Sequence, residues 1–329
     1  MIRKTGAAAV AVVGLLVAQP LFAQEHQWNG DRPDAHAPSG VLRAVTLPAG
    51  DFAFNYRYAR DDFQGLRLGS QVITFDDAFD FDFSVVPADL SVETHEAEIR
   101  YGISDALTVS ASVPFTFREM TNLTSEGTEF FITESNDLGD VQLHLMYDLF
   151  EVNGYRAHIS VGGSAPTGEI ADRGLTPESF PQLTQLPFTM QSGSGTWDLS
   201  PGLSFHSQNE FGTVGMMGHA VIRFGENDRN YTLGDRFEGT VWASYMLNDW
   251  ISASARVDFA TWGDIEGVDP ATDGNEDVSA NPFATGGRRT TLPLGMNVLL
   301  REGPFAGLRM SVEWEYVISE DLNGPQLSQ

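Results

Sequence analysis

Cysteine is absent from the 329-residue chain, which excludes disulfides, thiolate metal sites and cysteine nucleophiles. Lysine is nearly absent too: Lys4 is the only one. Positive charge of any kind is scarce, with 19 Lys and Arg against 45 Asp and Glu and a formal charge of −26. Such a chain repels the phosphates of DNA and RNA, so no nucleic-acid partner is expected. Beyond the first two dozen residues there is no run of 18 apolar residues, which excludes a helical membrane protein. Gly-x-Ser-x-Gly, P-loop and His-Glu-x-x-His patterns are also missing. Neither an enzyme activity nor a cofactor is expected.

What is there begins with an address. Arg3 and Lys4 precede an apolar run over 6–18, and Leu21-Phe22-Ala23 ends in a small residue. These are the parts of a secretory signal peptide, assigned to residues 1–23. Taking Arg3 and Lys4 from the 19 basic residues leaves 17, all Arg, against 45 acids, a formal charge of −28. Residues 24–50 are polar and carry Pro33, Pro38 and Pro48; they read as an extended periplasmic N-terminal arm. Residues 51–329 are assigned to one domain.

In that domain the period is two. Leu107, Val109, Ala111, Val113, Phe115 and Phe117 alternate with polar residues, as do Val141 to Leu149, Ile251 to Phe259, and Leu308 to Tyr316. Alternation of this length predicts strands. Twelve segments qualify: 51–60, 67–75 (the weakest), 91–102, 105–118, 138–150, 153–165, 194–206, 210–224, 236–247, 250–262, 289–300 and 305–318. No helix is expected after the signal. Tight connections such as Asn153-Gly154 and Asn248-Asp249 alternate with long polar loops over 119–137, 166–193, 225–235 and 263–288. Many of these strands are twice the usual length for a soluble protein and match a tilted crossing of a bilayer. The expected fold is therefore all-β: a transmembrane antiparallel meander β-barrel of about 12 strands, within a range of ten to twelve. Tyr56, Tyr58, Tyr101, Trp242, Trp250, Trp262, Trp314 and Tyr316 are candidates for its interfacial girdles. The strand count carries a parity problem, because 305–318 would end on the outer side and 319–329 looks like no returning strand. Two resolutions are open: 67–75 belongs to an outer loop, leaving eleven strands, or 41–47 adds one.

Alternation also predicts a charged face. The lumen-lining candidates are Arg57, Glu96, Glu98, Arg100, Arg118, Asp140, His144, Asp148, Arg156, His158, Arg223, Arg256, Asp258, Arg309, Glu313 and Glu315. Facing one lumen, such groups pair across strands or, where they meet water, set pore selectivity. Gly162, Gly163, Pro166, Thr167 and Gly168 close one strand and open a long loop. They form an ordinary rim turn unless that loop folds inward. The loop acids Asp269, Asp273, Glu276 and Asp277 are weak candidates for a hard cation, without EF-hand spacing.

Gly139-Asp140-Val141, then Gly162-Gly163-Ser164-Ala165-Pro166-Thr167-Gly168, then Gly193-Ser194-Gly195-Thr196-Trp197-Asp198 with Pro201-Gly202, resemble the outer-membrane β-barrel family named for the MetA pathway of phenol degradation. The order and spacing match over roughly 90 to 330. The segments Asp34 to Val41, Gly50 to Tyr58 and Asp321 to Leu327 are similar to the ends of a Met- and His-rich, metal-associated subgroup. This chain departs from it by carrying Ala59, Asp61, Asp62 and Leu66 where Met is usual. The chain also stops at Gln329 without the terminal aromatic strand common to such barrels. The resemblance implies a transmembrane barrel with an uptake or efflux role.

The expected function is thus an outer-membrane channel or transporter for a small solute, with hydrophobic or aromatic compounds among the classes in view. Its partners would be outer-membrane lipid and lipopolysaccharide, the solute, and a periplasmic partner not identified by the sequence. One alternative is a non-conducting barrel whose acidic loops bind a partner or cation. Another is a soluble secreted acidic β-protein.

Overall fold

A computed structural model describes residues 27–125 and 130–329. The expected signal peptide, residues 1–23, lies outside them. Fourteen strands form one antiparallel sheet: β1 (Phe52–Gln64), β2 (Leu66–Gly69), β3 (Gln71–Ile73), β4 (Val85–Ser104), β5 (Leu107–Thr124), β6 (Phe130–Leu138), β7 (Val141–Val152), β8 (Tyr155–Ala165), β9 (Trp197–Gln208), β10 (Gly212–Phe224), β11 (Arg236–Met246), β12 (Ile251–Trp262), β13 (Gly287–Leu299) and β14 (Arg309–Leu327). Apart from β2, β3 and β6, strands consecutive along the chain are neighbours in the sheet, as a meander requires.

The alternation sets which way each strand faces. Leu143, Leu145, Val257 and Val312 point outward, 57%, 43%, 47% and 67% exposed, whereas Arg256 is 8% exposed. A soluble sandwich would bury the first four. A greasy outer face and a charged inner one suit a closed sheet in lipid, where every backbone group must pair.

The segments 130–138 and 141–152 both ladder onto β5, so β6 and β7 are one wall strand broken at Gly139-Asp140. With β2 and β3 set aside as a small hairpin, the wall has eleven long strands. Eleven is odd, so β1 and β14 run the same way and cannot close as an antiparallel pair. The chain resolves this at Gly65 (φ +73°), where it reverses. From there β2 runs antiparallel to the end of β14, with Leu66 opposite Leu327 and Gly69 opposite Leu322. Gln64 N donates to Ser328 O at 2.7 Å and Gln329 Nε2 to Asp61 Oδ1 at 2.9 Å, which brings the two ends of the sheet together. Residues 41–47 add no strand.

Four expectations need correction. The weak strand 67–75 is the β2–β3 hairpin followed by a short helix, α1 (Phe75–Phe79), with a Thr74/Asp77 capping box. The predicted loop 119–137 is mostly strand. Outward Glu119 lies opposite outward Glu134, which interrupts the apolar pattern while the ladder continues to outward Ile132 and Phe130. The tail 319–329 continues β14 to Leu327. A bulge between Thr290 and Thr291 shifts the register there, and Glu320 faces inward although Glu313 and Glu315 sit at odd positions. Trp242, finally, is not a girdle residue. It is 2% exposed and faces the interior, fitted against Gly215, where a Cβ would lie 2.2 Å from the indole.

At one rim the turns are tight. Asn153 (φ +51°) and Gly154 (φ +77°) make a two-residue hairpin of the type these residues favour. The long loops gather at the other rim.

Candidate functional site

The interior is filled from both ends. At the short-turn rim the arm enters beside β9. Asn29 N donates to Gln208 Oε1 at 2.7 Å, and Arg32 pairs with Asp34 at 2.8 Å. Asp34 is fully buried and accepts from Thr213 Oγ1 at 2.8 Å. The arm climbs to Gly40, whose N donates to Glu313 and where any Cβ would strike Arg256. Val41 and Ala44 pack on Met217 and Trp242. The chain then descends. Thr46 Oγ1 donates to Asp148 at 2.7 Å and Leu47 N to Thr108 Oγ1 at 2.8 Å. Pro48 passes so close to Gly102 that a Cβ there would lie 1.9 Å from its carbonyl oxygen. Residues 27–50 therefore occupy the barrel up to about mid-height, a placement the sequence left open.

At the long-loop rim the loop after β8 folds inward, and the glycine-rich motifs explain how. Asp140 accepts from Gly168 N at 2.9 Å, Ser194 N at 2.8 Å and Ser194 Oγ at 2.7 Å. Asp198 accepts from Ser164 Oγ at 2.8 Å and Thr196 Oγ1 at 2.7 Å. Gly168 and Gly193 cross with no room for a side chain, since a Cβ on Gly193 would lie 2.5 Å from Gly168. The three motifs thus form one latch. Beyond it Leu186 and Met190 pack on Leu90 and Met120 from the inner faces of β4 and β5. Ser192 Oγ bonds Thr116 Oγ1 at 2.9 Å and accepts from Arg118 Nη1 at 2.8 Å. Leu66, Ala78, Val86 and Val278 form a second apolar cluster under the outer loops.

The structure sorts the sixteen lumen candidates into local groups. Arg57 pairs with Glu96 at 2.8 Å. Glu98 accepts from Asn55 at 2.8 Å and lies 3.5 Å from Arg100, whose Nη1 donates to Val45 O at 2.9 Å. Arg156 reaches Glu151 at 3.0 Å and Asp148 at 3.7 Å, and stacks over Trp28. His158 Nε2 donates to Arg43 O at 3.0 Å, and its ring stacks near His206. His144 is buried beside Gly162. Arg256 holds Glu313 at 2.9 Å, Glu315 at 3.7 Å and Asp258. Arg309 donates to Arg32 O at 2.9 Å. Arg118 and Asp140 serve the inward loop, and Arg223 Nη1 donates to Gly234 O in the next loop. Most of these groups therefore hold the arm or the loops and do not face an open bore.

Three of the four weak cation candidates have carboxylates that are otherwise engaged. Asp269 is buried on Arg229 at 2.6 Å; Asp273 accepts from Asn275 N at 2.9 Å and Asp277 from Ser279 N at 2.7 Å. Glu276 takes part through its backbone carbonyl, which accepts from Ser84 N and Val85 N. Among the described residues no three His, Asp or Glu side chains gather as a metal site. Burial pushes the Asp277 carboxyl up to about 7, only partly opposed by the Ser279 hydrogen bond. It borders a cavity of about 310 Å³ beneath the outer loops, shared with Met120, Asn122 and Pro187.

A second cavity, of about 370 Å³, lies between the arm tip and the wall of β1 and β10–β14. Its border includes Val41, Arg43, Arg57, Asp61, Phe63 and Met217. Arg43 and Asp61 escaped the sequence reading for different reasons. Arg43 sits in an aperiodic arm, and Asp61 lies beyond the predicted end of its strand, although alternation continued from Arg57 would have found it.

One solved structure matches this architecture over nearly its whole length. The COG4313 outer membrane channel from Pseudomonas putida F1 aligns with 87% of this chain and 94% of its own, with a TM-score of 0.57 at 14% identity. The fold is that of an outer-membrane β-barrel. OmpT, an outer membrane protein of Vibrio cholerae, overlaps 84% of this chain and 89% of its own at 10% identity, with a TM-score of 0.34. No family model and no curated protein matches the sequence. The fold agrees with the barrel architecture that the glycine-motif resemblance implied. The Met- and His-rich subgroup gains no support.

Proposed function

We propose that the chain is a channel of the outer membrane that passes a small solute through an interior narrowed by its own arm and loops. The short-turn rim and the arm's point of attachment would face the periplasm, and the long acidic loops the outside. The apolar outer wall would contact lipid and, at its upper edge, lipopolysaccharide. The observation that carries this reading is the pairing of a lipid-facing apolar wall with an interior that is polar and still keeps a cavity of about 370 Å³ at the arm tip. The comparison supports it: the matched protein from Pseudomonas putida is described as a channel. The interior reads as a conduit, because most of its charged candidates hold the arm or the loops.

Planar-bilayer recording of the purified protein tests this. Discrete conductance steps in salt are expected. A permanent seal, unaffected by voltage or added solutes, would defeat it.

A further inference from the structure

The cavity at the arm tip is bordered by five arginines, and four are committed to carboxylates. Arg57 holds Glu96, Arg236 holds Glu238, Arg289 holds Glu320, and Arg256 holds Glu313 with Asp258 and Glu315. Arg43 differs. Among the described residues it makes no ion pair, and its one side-chain hydrogen bond, Nη1 to Gln142 Oε1, is 3.5 Å long, at the edge of the useful range. This happens in a chain with 45 acids, so the missing partner is not a matter of supply.

The residue is nonetheless firmly placed. Its backbone has φ +56°, a region that side-chain-bearing residues seldom adopt. His158 donates to its carbonyl oxygen at 3.0 Å, and its neighbours Val41 and Ala44 are buried on Met217 and Trp242. Arg43 therefore stands on a built pedestal at the border of a partly open cavity. A half-buried guanidinium without an ion-pair partner gains by taking up an anion. Its planar fork fits a carboxylate with two parallel hydrogen bonds. Asp61, Glu238, Asp258 and Glu315 border the same cavity and oppose a multiply charged anion. Val41, Leu42, Phe63 and Met217 add apolar surface beside it.

We infer that this cavity is a binding site for a small organic monocarboxylate, its carboxylate on the Arg43 guanidinium and its hydrocarbon body against Val41, Leu42, Phe63 and Met217. The inference rests on the channel reading and gives it a solute class. Arg43 would be the residue that separates a carboxylate from its neutral isostere.

Calorimetric titration of the purified full-length barrel in a non-ionic detergent tests it, with benzoate as the probe and benzamide as its uncharged counterpart. Benzoate is expected to saturate at one per barrel and benzamide to bind at least tenfold more weakly. Arg43→Gln should weaken benzoate at least tenfold and leave benzamide unchanged. Arg301→Gln, in the exposed turn before β14, should alter neither. Equal binding of benzoate and benzamide, or benzoate binding within twofold of the parent in Arg43→Gln, would overturn the proposal. Should Arg43→Gln fail to give a heat-modifiable folded barrel, the benzoate and benzamide pair on the unmutated protein still decides. A barrel that seals bilayers yet prefers benzoate loses only the channel reading. One that conducts but binds no benzoate loses only this one.

Discussion

The two halves of the interior are packed by opposite means. The half near the tight turns is filled by the arm mainly through ion pairs and hydrogen bonds, Asp34 on Arg32 and Thr213, Gly40 on Glu313 and Thr46 on Asp148, with one apolar contact at its tip, Val41 and Ala44 on Met217 and Trp242. The half near the long loops is filled by apolar side chains, with Leu186 and Met190 on Leu90 and Met120, and Leu66 and Ala78 on Val86 and Val278. The difference follows from how each filler is attached. The arm is a single strand of backbone inside a polar wall, and its own N–H and C=O groups need partners there. The outer loops form small folded units with their own hydrogen bonds, so they can present apolar side chains inward. A polar filler can be exchanged for water at modest cost, whereas an apolar one cannot. The arm is therefore the part that can yield, and the loop cluster is the part that holds.

Tests that break or sharpen this contrast begin with the arm. Deleting residues 27–48 while keeping the signal should raise single-channel conductance at least threefold. Unchanged conductance would mean that the loop half, not the arm half, limits flow. Next in size is the apolar half. Met120→Ala should destabilise the barrel by roughly 2–5 kcal/mol in lipid-based urea unfolding, as other buried Met truncations do. Little change there would show that the cluster is loose. Third is the latch. Gly193→Val places a Cβ 2.5 Å from Gly168, and a cost of about 1–3 kcal/mol is expected. Proteolysis in the loop 169–192 should also speed up if the crossing is what folds that loop inward.

The smallest effect concerns pH. Burial raises the Asp277 carboxyl from its ordinary 3.8 to about 7. The folded protein therefore binds more protons than the unfolded chain between those values. Stability in this loop should fall as pH rises through that window, and the full cost is present above about pH 7. Hydrogen-exchange protection factors in residues 263–286, the rates taken relative to the intrinsic rate at each pH, should be lower at pH 8 than at pH 5. Asp277→Asn should flatten that dependence, and a persistent slope in the variant would assign it to another group.

Much of the wall was legible. Val141 to Asp148 and Ile251 to Phe259 alternate without interruption, and both are strands facing the way the pattern says. Where the pattern failed, the reason is local. Outward Glu119 and Glu134 hid the hairpin of β5 and β6, because they interrupt the apolar pattern while the ladder continues. The bulge near Thr290 put Glu320 inside against the parity of Glu313. Trp242 looked like a girdle residue because its type is common there, yet its even position among outward Val241, Ala243 and Tyr245 had already turned it inward.

The sequence by itself determined the antiparallel meander, the greasy outer face and the charged inner one, because a period of two is a local property of the chain. Only the tertiary structure decided that the interior is occupied. Which inward arginines find a carboxylate, how Gly65 lets an odd number of strands meet, and why Arg43 stands alone depend on groups far apart in sequence. No local pattern encodes distances of that kind.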